Sequence, residues 1–241
     1  MNSILPTLMG LWWYPTTYSV FLLIWPFYHK GLCSFTKEEL KKCIAVMLAV
    51  WSVSTLIPYT NLGASNFTAF LTLYAIVVYI RRQNITYDEN KKKVRQLVMI
   101  PYAFSVLSIG ALDLLGKKIP TAALYSCYYI RGNFRLVSML VSIGIFLWST
   151  SWNMKRNKVI NYIADLTFGI YLIHMYPPVM EWLFKQVFNL SRYINTEWAV
   201  PYVLGGTTIV FIGAGIIEAI RMCLFNMMKS KISKLESISL V

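Results

Sequence analysis

The chain has 241 residues, 57% of them hydrophobic, and 14% are charged, where a soluble globular domain carries roughly a quarter. Lys and Arg outnumber Asp and Glu by 23 to 10, a net charge of +13, and the charges fall in short blocks between long apolar runs. That pattern excludes a large soluble core and reads as an integral membrane protein, its basic excess flanking membrane spans and not marking a nucleic-acid partner.

Residues 1–10 (MNSILPTLMG) carry no Lys or Arg, and no small-residue cleavage site follows a short apolar core, so the first apolar segment reads as a retained helix and not a signal peptide. Seven apolar stretches approach the length of about 20 residues that crosses ~30 Å of hydrocarbon. They lie near 10–28, 40–58, 66–80, 96–115, 134–152, 159–184 and 198–226. Between the fourth and fifth, TAALYSCYYI (121–130) is too short to cross and reads as an interfacial or partly re-entrant piece. The predicted fold is all-α: a polytopic transmembrane helix bundle of about seven spans, a single membrane domain over 1–241 with 227–241 as a cytoplasmic tail.

Orientation follows from Lys and Arg outside the spans. Alternate loops hold 17 against 6, and the richer set belongs to the cytoplasm. This predicts an N-terminus outside and a C-terminus inside. Cys33, Cys43, Cys127 and Cys223 show no CxxC or metal-ligand spacing and read as free thiols, so no metal is expected.

An ionisable side chain within a span costs a few kcal/mol, which makes each one a functional candidate. Asp113, Asp165, His174 and Glu218 fall in this class. Asp165 and His174 share the sixth span but lie nine residues apart, about 180° around a straight helix, so they do not pair directly. Asp165 reads either as a carboxylate close to its helix N-terminus or as a cavity residue. Asp113 and Glu218 sit near span ends, where they reach the headgroups. His174 lies about 22 Å along its helix, and Pro177 and Pro178 follow it, removing two backbone donors. A neutral imidazole there either ties helices together or lines a substrate cavity. The KKKVR block (91–95) reads as a topology determinant that would also attract an anionic, nucleotide-bearing acyl donor. No HExxH, GxSxG, Walker A or GxGxxG pattern occurs.

Three stretches carry a family resemblance. ADLTFGIYLIH (164–174) resembles the penultimate-helix signature of the acyltransferase 3 family, polytopic bacterial membrane proteins that O-acetylate surface and exported polysaccharides. LTLYAIVVYIRR (71–82) is similar to that family's lY-x-x-G-x-Y-I-R helix end, with Val77 in place of the glycine. WWYPTTYSVFLLIWPFYHKGL (12–32) is similar to its yWF-x-x-Y-x-x-L-Y-L-x-x-P-F-L-N helix. The three occur in the family's order and spacing.

The resemblance implies a multi-pass protein of the bacterial plasma membrane. It implies acyl transfer from acetyl-CoA, as co-substrate, to a hydroxyl of a polysaccharide or lipid-linked sugar, with membrane lipid around it and no metal. It also implies about ten helices with both termini inside, and a catalytic histidine and arginine on the first. This sequence starts where the fourth would stand, so an N-terminally shortened member is expected, with its proton-abstracting histidine outside the chain and little turnover alone. His29 belongs to a later helix end and is not that residue. His174, Tyr171 and Arg81 match family motif positions and, with Asp165, are the substrate-cavity candidates. The alternatives are a seven-helix transporter or receptor, and a non-catalytic scaffold derived from the family.

Overall fold

The computed structural model describes residues 12–58, 60–193 and 196–239, with Leu190 and 230–239 described by backbone alone. Among the described residues the chain is all α, with nine α-helices and no strand. It divides into two compact units, Trp13–Asn153 and a second formed by Met1–Trp12 with Met154–Val241.

The first unit opens with α1 (Trp13–Ser34), which carries Pro26 inside it. Helix α2 (Lys37–Leu48) starts on a capping box. The Thr36 hydroxyl accepts from the Glu39 backbone N–H at 3.3 Å, and the Glu39 carboxylate accepts from the Thr36 N–H at 2.7 Å. α2 runs on through a π turn (Ala49–Val53) and a 3-10 turn (Ser54–Leu56), where the hydroxyls of Ser54 and Thr55 bond the carbonyls of Val50 and Ser52. Helix α3 (Asn66–Arg82) has its own capping box, Ser65 with Thr68.

Small residues let α3 sit at the centre of this unit. Ala75, fully buried, packs with Val78 against Leu32, Leu40 and Met47 of α1 and α2. The other side of α3, Ile76 and Ile80, meets Val94 of α4 (Tyr87–Gly116) and Leu147 of α6 (Leu136–Ser149). α4 breaks its helical geometry at Asn90. It lies so close to α6 that a Cβ on Gly144 would stand 2.4 Å from Val98 Cγ2. The stretch too short to cross holds α5 (Pro120–Ala123) followed by turns. It is pinned to the end of the second helix by Arg135, whose guanidinium donates to the Thr55 carbonyl at 2.6 Å and lies 4.0 Å over the Tyr128 ring.

The second unit contains α7 (Lys158–His174), α8 (Pro177–Glu181) with a π turn after it (Trp182–Val187), and α9 (Ala199–Ser239). Asn157 caps α7, accepting from the N–H groups of Val159 and Ile160. Asp165, exposed in the third turn, therefore does not serve as that cap. The Pro pair opens α8 at positions where helical N–H groups have no partner anyway.

Two helices are long and apolar enough to cross a membrane, Tyr87–Gly116 and Ala199–Lys229, and only 11% and 17% of their most apolar windows are buried. A soluble core helix would hide that surface. Here Leu107, Ile100, Leu204 and Ile209 are each more than 60% exposed, as lipid-facing side chains would be.

Candidate functional site: a groove beside His174

The end of α7 builds a small apolar groove within the second unit. Pro177 cannot donate to the Ile173 carbonyl, which accepts from the Tyr176 N–H at 3.4 Å instead, while the Tyr171 carbonyl keeps its ordinary helical partner. The N–H of Met175 bonds the Tyr171 carbonyl at 3.1 Å, and the indole of Trp12 donates to the Leu172 carbonyl at 3.1 Å. His174 turns back one helical turn, its Nδ1 lying 2.7 Å from the Ile170 carbonyl. A carbonyl only accepts, so Nδ1 carries the hydrogen, and in the neutral ring Nε2 is left as an acceptor. The Tyr171 ring meets the imidazole edge-on, with centroids 6.1 Å apart.

His174 lines a groove of ≈ 280 Å³ whose other walls include Ile173, Trp182, Leu183, Phe188 and Gly213. Nearly all of that lining is hydrocarbon. The far wall is fixed by Tyr202, whose hydroxyl donates to the Phe188 carbonyl at 2.6 Å.

Beside the groove, α7 and α9 meet at Gly169. A Cβ on Gly169 would stand 2.0 Å from Glu218 Cδ, so the glycine makes room for a carboxylate. Glu218 is 5% exposed. It takes both donors of Arg221, Nε at 2.7 Å and Nη2 at 2.6 Å, a fork-on-fork pair that offsets the cost of burying the charge. Glu218 thus turns inward onto α7 and does not reach for the headgroups, in contrast to the sequence expectation. Asp113, in the last turn of α4, is exposed.

The sequence-derived candidates separate. His174 and Tyr171 stand together at the groove. Asp165 lies on the exposed face of α7, while Leu166, Gly169 and Ile170 form its buried face. Arg81 belongs to the other unit, exposed at the C-terminus of α3.

The acyltransferase 3 family model, an acyltransferase domain, matches residues 1–218. The chain belongs to the acyltransferase 3 family. No curated protein and no solved structure matches it. The family match covers the helices of both units up to Glu218, and it favours a membrane acyltransferase over a transporter or receptor.

Membership in the acyltransferase 3 family gives the motif positions a place. The ADLTFGIYLIH stretch is the last eleven of the seventeen residues of α7, and it supplies both the Gly169 seat for Glu218 and the His174 imidazole. Sequence reasoning found the histidine from its depth and named the carboxylate as a candidate, but sent it to the headgroups and missed its seat against α7. The available signal was the i, i+3 spacing of Glu218 and Arg221 together with a glycine in the facing helix.

Proposed function

We propose that this chain is a multi-pass protein of the bacterial plasma membrane. In this reading it takes part in moving an acyl group, acetyl in the simplest case, from acyl-CoA to a sugar hydroxyl of a surface or exported polysaccharide. The single observation that carries the reading is the acyltransferase family match over residues 1–218. The charge asymmetry supports about seven spans with the N-terminus outside. In that orientation His174 lies toward the outer face, where an exported acceptor is found, and Arg81 lies at the cytoplasmic end of α3, where acyl-CoA is found.

The chemistry is general-base acyl transfer. The sugar oxygen attacks the thioester carbonyl, a base takes the hydroxyl proton, and the CoA sulfur leaves and is protonated. His174 contributes a hydrogen-bond acceptor in an apolar groove, a geometry that orients a hydroxyl. Tyr171 packs the imidazole in place. The family resemblance assigns the proton-abstracting histidine to helices that precede these residues in family members.

The test is transfer of label from [14C]acetyl-CoA to polysaccharide in membranes that hold the chain. It is run with the chain alone and with a co-expressed fragment carrying the first helices of a family member. Sugar-bound, alkali-labile label above control membranes in either arm supports the reading. A well-expressed chain that gives none in both arms overturns it.

A further inference from the structure

The block KKKVR (91–95) is the densest run of positive charge in the chain, and the fold sets it beside a groove that the sequence does not show. The block lies on the first turns of α4. The groove, of ≈ 310 Å³, is lined by Tyr87, Val94, Arg95, Val98 and Met99 of α4 and by Trp148 in the last turn of α6. Val98 is also the residue that Gly144 admits, one turn before Trp148 along α6. The two helices thus close on each other at Gly144, and the groove lies on the lysine-bearing side of that contact.

The lining divides by chemistry. Val94, Val98 and Met99 supply hydrocarbon. The polar groups are the Tyr87 hydroxyl, the Arg95 guanidinium and the Trp148 indole N–H; each can donate, and no carboxylate lines the groove. Among the described residues none of the three makes a hydrogen bond or an ion pair with the protein, and Trp148 meets only the edge of the Trp152 ring, with centroids 5.1 Å apart. Of the two nearby acids, Asp88 is taken by Lys91 at 3.0 Å. Lys92, Lys93 and Arg95 then stand against Glu89 alone, so the rim keeps an excess of positive charge.

The groove also straddles the edge of the fourth predicted span, which starts at residue 96. In the orientation that the charge asymmetry gives, Arg95 stands on the cytoplasmic side of that edge. Met99 lies one turn, ~5.4 Å, deeper. Trp148 comes to the same level from the end of the fifth span, where tryptophan is enriched at the boundary of hydrocarbon and headgroups. A ligand that satisfies this groove offers anionic oxygens to unpartnered donors at one end and hydrocarbon to Val98 and Met99 at the other. An anionic phospholipid of the cytoplasmic leaflet has both parts, and basic pockets between membrane helices on that side bind such headgroups. Acetyl-CoA brings the phosphates without the long hydrocarbon.

We infer that the groove between α4 and α6 is a binding site for one anionic phospholipid, with its phosphate held by Arg95, Tyr87 and Trp148 and an acyl chain lying along Val98 and Met99. Lys92 and Lys93 draw the headgroup in without lining the groove. The inference rests on the membrane placement proposed above and not on acyl transfer.

The experiment titrates the full chain, purified in detergent, with dioleoyl phosphatidylglycerol or dioleoyl phosphatidylcholine and counts bound lipid by native mass spectrometry. The first phosphatidylglycerol should bind about fivefold tighter than phosphatidylcholine, the worth of one Lys or Arg at an anionic surface. Arg95→Gln removes that preference, Lys92→Gln leaves most of it, and Trp148→Ala weakens both lipids together. Arg95 is exposed and unpartnered among the described residues, so Arg95→Gln keeps the melting temperature of the lipid-free protein in the same detergent. Neither glycerol phosphate, the headgroup without chains, nor acetyl-CoA displaces the lipid. Equal binding of the two lipids, a preference that survives Arg95→Gln, or equal losses from Arg95→Gln and Lys92→Gln overturns the inference. Displacement by acetyl-CoA overturns it too and assigns the groove to the phosphates of the donor. Binding of neither lipid counts against the membrane placement as well, whereas equal lipid binding beside measurable sugar acylation defeats this inference alone.

Discussion

The two units hold one histidine each, and they hold them differently. In the unit Trp13–Asn153, His29 is gripped through Nδ1 and its ring face by Tyr74 and Trp25, and the Cys33 sulfur lies beside the ring, 3.9 and 3.5 Å from its two nitrogens. In the unit that contains Met154–Val241, His174 has one backbone carbonyl for Nδ1 and an apolar groove around it. The polar partner in that second unit is spent elsewhere, on a buried carboxylate that locks α7 to α9. The same side chain is thus held by side chains of two helices in one unit and by the backbone of its own helix in the other.

The largest expected effect tests the lock in the second unit. Arg221→Ala leaves the Glu218 carboxylate buried without its partner and should destabilise this unit by about 3 kcal/mol, the low end for a broken buried pair, because Arg221 itself is 61% exposed. Unfolding in detergent, followed by tryptophan fluorescence, measures it. Glu218→Ala together with Arg221→Ala should recover much of the loss, since no orphan charge remains. Gly169→Ala comes next. Its methyl needs the space of the Glu218 carboxylate, and the overpacking should cost about 1–3 kcal/mol. Adding Glu218→Ala to it should be less harmful than the single substitutions would sum to.

Smaller effects sharpen the contrast between the histidines. Tyr74→Phe removes two hydrogen bonds from the first unit and should cost about 1–2 kcal/mol in its stability, without changing unfolding of the second. His174→Ala should cost about 1 kcal/mol or less in stability while reducing sugar acylation about tenfold, the worth of one hydrogen bond to an acceptor hydroxyl. The smallest effect lies at the start of α2. The Thr36 backbone N–H, and secondarily its hydroxyl, holds the Glu39 carboxyl below the usual carboxylate range. A carboxyl that is more acidic in the folded chain stabilises it above the ordinary pKa of about 4.3 and loses that contribution as pH falls through its lowered value. Glu39→Gln should therefore lower stability slightly at neutral pH, leave it nearly unchanged at pH below the lowered value, and so flatten the acid end of the stability profile.

Much of the helical order was legible. Each of the seven apolar stretches is helical over most of its described length, the form that satisfies a segment's backbone groups within itself. The break after His174 was visible in Pro177 and Pro178, and the non-crossing piece before Arg135 was visible in its length. The side-chain constellations were less legible. Glu218 looks like a residue near a span end until Gly169 is seen to face it. The His29–Cys33 spacing of one turn was in the sequence, but Tyr74 comes from another helix, and only packing of α1 on α3 brings it in. Arg81 shows the reverse: its place in a recognisable motif made it a cavity candidate, while its neighbour Arg82 is the one that turns inward to cap α1.

The most direct test of the account is acetyl transfer from acetyl-CoA to polysaccharide in membranes holding the chain, with the first-helix fragment supplied. His174→Ala is measured beside the unaltered protein. The account predicts sugar-bound label that depends on the chain and falls about tenfold in the variant. No label above control membranes, or label that the His174 substitution leaves untouched, would contradict it.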